Sequence, residues 1–217
     1  DNLSSSLQNV IDNGGGSSPT TYGGKQISVF NKGIAIGDSL TAGVFNHNAG
    51  GSMEDTTISG YSYPTKLKQL TGIDFVNLGN GGYTSDQWYT AHSSDDLSGN
   101  QFAIIQLGVN DAIQYGGWTA TSENAFTDII TKVLTENPGC FVFVSTIIPA
   151  TAYTGTAYTA VSQGIRDLVD DLNNDHVILL DMAAYGNTGD EIGYNNGHLS
   201  ALGYDRLAQD YISYIQI

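Results

Sequence analysis

Apolar strand-like runs and amphipathic helix-like segments alternate along most of this 217-residue sequence, which predicts an α/β fold. The strand candidates are nearly continuous apolar runs at residues 33–36, 75–78, 103–107, 140–146 and 177–180. The helix candidates lie at residues 63–70, 85–91, 122–136, 159–173 and 201–215. Strands without polar alternation are buried on both faces, so we predict three α/β/α layers around a parallel sheet of about five strands.

The N-terminal part of the chain differs in composition from the rest. Leu3, Leu7 and Val10 have the four-and-three spacing of a coiled-coil seam, and a Gly/Ser-rich flexible linker follows at residues 13–19. Two interpretations stay open: a frayed terminus, or the end of a longer stalk. We predict a short helical segment and linker over residues 1–26 and one folded domain over residues 27–217.

The charge balance restricts the partners. Seven basic and 22 acidic residues give a formal net charge of −15, which opposes binding to nucleic acid and to anionic membranes. No run approaches the roughly 18 apolar residues of a membrane span. The abundant Gly, Ser, Thr, Asn and Tyr favour an extracellular protein. The sequence starts at Asp1 without a charged and apolar leader, so we expect any signal peptide to be absent or removed.

Several conspicuous residues have ordinary interpretations. The single cysteine, Cys140, lies in an apolar strand candidate and is expected to be inert packing. His47, His92 and His176 are interpreted as ordinary histidines. The glycine-rich turn near residue 81 does not match Gly-x-Gly-x-x-Gly, so we expect no dinucleotide, and neither a metal nor another cofactor.

Chemically useful residues follow the predicted strands, where the ligand sites of parallel sheets form. Ser39 comes directly after the first strand at a helix start, although a serine there also serves as a helix cap. Gly82 offers an unobstructed backbone N–H after the second strand, and Asn110 offers a carboxamide after the third. His198 precedes the last helix.

This order of motifs resembles the SGNH (GDSL) hydrolase family over roughly residues 33–211. The matching blocks are Gly37-Asp38-Ser39-Leu40, the glycine turn ending at Gly82, Gly108-Val109-Asn110-Asp111, and His198 followed by Gly203-Tyr204. The resemblance implies a flavodoxin-like sheet and a serine esterase, that is, a carboxylic ester hydrolase.

By this resemblance, Ser39 attacks the ester carbonyl, and His198 takes its proton and returns it to the leaving alcohol. The N–H groups of Ser39 and Gly82 and the side chain of Asn110 would hold the oxyanion. Asp38 and Asp111 would tie down the two loops.

One position departs from the family pattern. Asn195 stands three residues before His198, where the family usually has an aspartate that orients the imidazole. Three explanations stay open: a Ser–His dyad supported by backbone carbonyls, substitution by Asp190 or Glu191, or a weakened domain that mostly binds.

The polar, glycine-rich stretch after Gly43 has no apolar stripe for a long acyl chain, which favours O-acetyl esters on carbohydrate. Aromatic rings with polar neighbours suit sugars, so the expected substrate contacts are Trp118, Tyr61, Tyr83 and Tyr194. The alternatives are a glycan-binding module on a weakened hydrolase scaffold, and a lipase or thioesterase.

The expected partner is an acetylated polysaccharide or cell-surface glycan. A coiled-coil-like start before an acidic domain resembles a bacteriophage tail module, and a secreted bacterial esterase explains the same features. The tail interpretation predicts a homotrimer formed through the N-terminal segment.

Overall fold

The computed structural model describes residues 21–22, 25–26, 30–49, 52–57, 59–149, 152–185 and 197–215. The predicted helical segment and most of the linker lie outside these residues. Near the end of the predicted linker, two short strands pair antiparallel, with Thr21 opposite Gln26.

The strands, in chain order, are β1 (Thr21–Tyr22), β2 (Lys25–Gln26), β3 (Lys32–Gly37), β4 (Val44–Ala49), β5 (Ser52–Thr57), β6 (Asp74–Gly79), β7 (Phe102–Gln106), β8 (Phe141–Ser145) and β9 (Val177–Leu180). Five of them form a sheet in the order β6-β3-β7-β8-β9, and every neighbouring pair is parallel. The predicted α/β fold with a five-stranded parallel sheet is confirmed. β7 and β8 are buried at every position, as continuous apolar runs require.

The helices, in chain order, are α1 (Ser39–Ala42), α2 (Tyr63–Thr71), α3 (Ser85–His92), α4 (Val109–Tyr115), α5 (Ala120–Glu136), α6 (Thr156–Leu172), α7 (Met182–Tyr185) and α8 (Ala201–Ile215). α2 packs against α8, whereas α3, α5 and α6 pack in sequence against one another. These two groups flank the sheet and bury its apolar faces in one core. Among the described helices, none has the length and apolar character needed to cross a membrane.

The stretch between Gly43 and Tyr63, treated as a polar insertion in the sequence, contains a β-hairpin. β4 and β5 pair antiparallel, with Val44 opposite Thr57 and Ala49 opposite Ser52. Phe45 at its base forms a bridge with Leu199, and the Tyr204 hydroxyl donates to the Val44 carbonyl at 2.6 Å. The base of the hairpin therefore connects the segment after α1 to the start of α8.

Candidate active site

The first site residue is displayed where β3 turns into α1. Asp38 is the N-cap of this short helix, and its Oδ1 accepts the Leu40 N–H at 3.0 Å. Ser39 is thus the first helical residue, half-buried at the carboxyl end of strand β3, which lies between β6 and β7 in the sheet. A serine here has its side chain at the edge of the sheet where ligands bind in this architecture.

His198 reaches this serine from the other end of the sequence. Its Nε2 lies 3.0 Å from Ser39 Oγ, a hydrogen-bond distance between residues 159 apart in the chain. The backbone on both sides of His198 is held: the Tyr153 hydroxyl donates to the Gly197 carbonyl, and Leu199 bridges to Phe45. The pair has the geometry of a nucleophile and its general base.

Beside Ser39, residues 80–83 form a tight turn after β6. The Tyr83 N–H donates to the Asn80 carbonyl at 3.3 Å, and Gly82 has a φ of 80°, which the third position of a type II turn requires. A Cβ placed on Gly81 would lie 3.9 Å from Ser39 Cβ. A Cβ on Gly82 would meet no described atom within 4 Å, so a ligand atom can approach this backbone closely.

Asn110, near the start of α4, faces the same turn. Its Nδ2 donates to the Tyr83 carbonyl at 3.0 Å and lies 3.4 Å from Asp38 Oδ2. The carboxamide thereby connects the turn to the residue before the nucleophile. Because the contact with Asp38 is long, the Asn110 N–H that makes it can turn toward a ligand oxygen at little energetic cost.

The sequence interpretation missed Gln114 in this arrangement. Its Nε2 donates to the Gly82 carbonyl at 3.1 Å, which fixes the peptide that follows Gly82. Gln114 is one helical turn after Asn110 on α4, and this i,i+4 spacing was the signal that could have identified it.

Two buried carboxyl groups lie behind the site. Asp38 is 1% exposed, and burial, with a smaller contribution from the charge of Asp111, raises its pKa to about 7 despite the N–H of Leu40. Asp111 is fully buried and accepts the Ser85 N–H at 3.0 Å and the Ser85 hydroxyl at 2.6 Å. Asp111 therefore joins α4 to the start of α3.

Several predicted residues are not brought together by the described part of the chain. Asn195, Tyr194, Asp190 and Glu191 lie outside the described residues. Trp118, predicted to line the cleft, packs on Phe126 at 5.4 Å between ring centroids. It also covers Gly164, where a Cβ would come within 2.2 Å of the indole. We therefore assign Trp118 a packing role between α5 and α6.

The other two predicted aromatic contacts, Tyr61 and Tyr83, contact or belong to segments that adjoin the site residues. Tyr61 stacks on Phe45 at 4.5 Å, and the Lys66 ammonium lies 5.5 Å from the centre of its ring. Tyr83 ends the turn beside Ser39 and also lines a surface groove along α3.

The described residues hold no cluster of three or more His, Cys, Asp or Glu side chains suited to a metal ion. Cys140 is buried, and this burial raises the pKa of its thiol to about 12, so it stays protonated at neutral pH.

Comparison with protein families agrees with the order of these motifs. The model of the GDSL-like lipase/acylhydrolase family matches residues 35–206, well over half of the chain. The chain belongs to this family. Its activity class is therefore ester hydrolysis. A search of curated protein sequences returned no significant match.

Solved structures of esterases share the fold at low sequence identity. A lipase/acylhydrolase from Enterococcus faecalis aligns with a TM-score of 0.67 and 18% identity, covering 86% of this chain and 95% of the other. An aryl esterase from M. smegmatis gives 0.63 and 18%, covering 85% and 99%. A carbohydrate acetylesterase from Sinorhizobium meliloti gives 0.61 and 20%, covering 86% and 98%.

Proposed function

We propose that this GDSL-family hydrolase removes short acyl groups, chiefly O-acetyl, from carbohydrate, with Ser39 as nucleophile and His198 as general base. The observation that carries the proposal is the 3.0 Å contact between Ser39 Oγ and His198 Nε2 beside the Gly82 turn. In this mechanism Ser39 attacks the acetyl carbonyl, and its proton passes to Nε2. The same proton then goes to the departing sugar oxygen, and water hydrolyses the acyl-serine.

The oxyanion would be held by N–H groups that converge on one side of Ser39. These are the backbone N–H groups of Ser39 and Gly82 and one N–H of Asn110, the one now 3.4 Å from Asp38. Gln114 and Asn110 fix the carbonyls of Gly82 and Tyr83. The turn therefore needs little rearrangement when negative charge develops on the substrate carbonyl oxygen. Donors held in place before reaction are the main source of stabilisation in such sites.

The choice of a short acyl group rests on the surroundings of the nucleophile. Polar side chains belong to the turn beside Ser39 or contact it, among them Asn80, Asn110 and Gln114. A structural relative from Sinorhizobium meliloti is a carbohydrate acetylesterase, which is consistent with this substrate class. Against the polar side chains described around Ser39, each further CH₂ of the acyl chain left in water loses roughly 0.8 kcal/mol, so we expect rates to fall beyond about acetyl or propionyl.

The test measures acetate release from a panel of O-acetylated polysaccharides and from a small chromogenic acetyl ester. Ser39→Ala should lose turnover by about 10⁶-fold, as in the serine-protease template. Ser98→Ala, on the exposed loop after α3, is the matched control and should keep wild-type rates. No release from any substrate, together with saturable binding to a polysaccharide, would replace the proposal with a glycan-binding module. Rates that rise with acyl length would indicate a lipase or thioesterase.

Asn195 provides a second experiment on the same site. We propose that the Ser39–His198 dyad works without a carboxylate at position 195. Asn195→Asp should then change kcat little, whereas a gain of orders of magnitude would show that the missing carboxylate limits turnover.

We also propose an extracellular setting, as a phage tail component or a secreted esterase acting on a cell-surface glycan. The net charge of −15 and the polar composition support this proposal. Light scattering on the full chain and on a chain lacking residues 1–13 distinguishes the two settings. A trimer that becomes monomeric on truncation supports the tail component, and a monomer in both cases supports the secreted enzyme.

A further inference from the structure

A second histidine contacts the turn that carries Gly82. His92, the last residue of α3, is mostly buried, and its Nε2 lies 2.7 Å from Asn80 Oδ1. Asn80 is the first residue of the turn, and its carbonyl accepts the Tyr83 N–H that closes it. Its own N–H donates to the Gly37 carbonyl at 2.9 Å, next to the nucleophile segment. Both backbone polar groups of Asn80 are thus hydrogen-bonded, so a contact to its side chain acts on a constrained residue of the turn.

His92 is itself held from two sides. Its Nδ1 lies 2.7 Å from Asp95 Oδ2, and its ring stacks on Trp88 with 4.4 Å between centroids. Trp88 is fully buried, and its Nε1–H donates to the Leu78 carbonyl at 2.7 Å. Because a ring held by a carboxylate and by a stacked indole has a fixed orientation, Nε2 is a rigid contact for Asn80.

Capping does not account for this arrangement. A histidine in the last turn of a helix commonly interacts with the helix carbonyls, but both ring nitrogens of His92 meet side chains. The Asn80 carboxamide can present either its oxygen or its nitrogen to Nε2, so the contact persists in either form of the ring. The contact thus joins α3 to the turn through an acid, an imidazole and an amide in series.

We propose that His92, oriented by Asp95 and Trp88, is a positioning residue that holds the Asn80–Tyr83 turn and so aims the Gly82 N–H at the oxyanion. The inference rests on the proposed esterase function, because it assigns a role within that site. A displacement of about 1 Å in a group that stabilises the transition state costs about 100-fold in rate. The Gly82 N–H acts mainly in the transition state, so its displacement lowers kcat and leaves KM nearly unchanged.

Two substitutions at position 92 separate positioning from general packing. His92→Phe keeps a ring against Trp88 and removes both nitrogen contacts, and it should lower kcat by about 10- to 100-fold. His92→Gln places an amide nitrogen near the position of Nε2 and should restore most of the lost kcat. His176→Phe is the matched control, because His176 also stacks on an aromatic ring, Phe141, and uses one ring nitrogen, on the Cys140 carbonyl at 3.0 Å.

A measurement independent of turnover accompanies the kinetics. The backbone amide resonance of Gly82 in an ¹⁵N-labelled protein should shift in His92→Phe, return toward wild type in His92→Gln and stay unchanged in His176→Phe. If the wild type hydrolyses esters, and His92→Phe matches His176→Phe in kcat and in this resonance, the inference is overturned and the proposed function stands. If the wild type hydrolyses no ester, the proposed function fails. In that case the Gly82 amide resonance alone tests the inference: a shift in His92→Phe supports it, and no shift overturns it.

Discussion

Replacing Asp38 by asparagine removes a carboxyl group that is buried directly before the nucleophile. Burial raises the pKa of this group from 3.8 to about 7 in the folded protein. Between these two pH values the folded state keeps a proton that the unfolded state has released, so stability falls as pH rises. Ionising the buried Asp38 carboxyl therefore lowers the free energy of unfolding by about 4 kcal/mol in full. This destabilisation is absent below pH 3.8 and complete above about pH 7.

The assay is urea-induced unfolding of wild type and Asp38→Asn, followed by tryptophan fluorescence from pH 4.5 to 8.5. At acid pH the variant should be the less stable, because its amide nitrogen faces Nδ2 of Asn110 in place of an acceptor. Relative to wild type, it should then gain about 3 kcal/mol between pH 4.5 and 8.5, because roughly 1 kcal/mol of the full difference is already present at pH 4.5. A difference that is constant across this range would refute the reasoning.

The control for the sign of this pH dependence of stability is Asp74→Asn. The pKa of Asp74 is lowered, first by its hydrogen bond from Lys68, so wild type loses this contribution as pH falls through the folded-state pKa. This loss falls below pH 3.8, so the control is measured at acid pH below the range of the first assay. There the stability of Asp74→Asn relative to wild type should change with pH in the opposite sense to that of Asp38→Asn.

Three further substitutions and one control variant test other contacts of the site. Asn110→Ala should lower kcat by about 10²–10³ with a small change in KM, measured on a small acetyl ester. Gly79→Ala would place a Cβ 2.1 Å from the Ala42 nitrogen, so it should cost about 1–3 kcal/mol of stability and much of the activity. Its control is Gly60→Ala, whose Cβ would meet nothing within 4 Å and which should be neutral in both assays. Asp111→Ala leaves the start of α3 without its two buried hydrogen bonds and should cost about 1–3 kcal/mol by urea unfolding.

The sheet could be predicted from the sequence because its strands bury both faces. An unbroken apolar run such as β8 has few alternatives, and the fully buried positions of β7 and β8 explain why both were located to within a few residues. The β4–β5 hairpin was missed for the opposite reason. Its residues are mostly polar and contain no strong apolar alternation, so its pairing is not visible in the local pattern.

The candidate site was predictable where a residue follows a strand end directly. Ser39 and Asn110 are of this kind, and their placement depends on topology alone. The contacts of His92 and Trp118 could not be predicted in this way, because their partners Asn80 and Gly164 lie outside their own local segments. No local signal shows that a histidine at a helix end contacts a particular turn, or that a tryptophan covers a glycine.

The hairpin base links two halves of the chain whose alignment a hydrolase of this family needs. Through Phe45 and Leu199 it joins the segment after Ser39 to the segment of His198, while the far end, near Ala49 and Ser52, is 4–5 residues away along each strand. Changes near that far end can therefore accumulate without disturbing the dyad. The far half of the hairpin is a place where the sequence can vary between related proteins, or in a laboratory library, while the contact between Ser39 and His198 is kept.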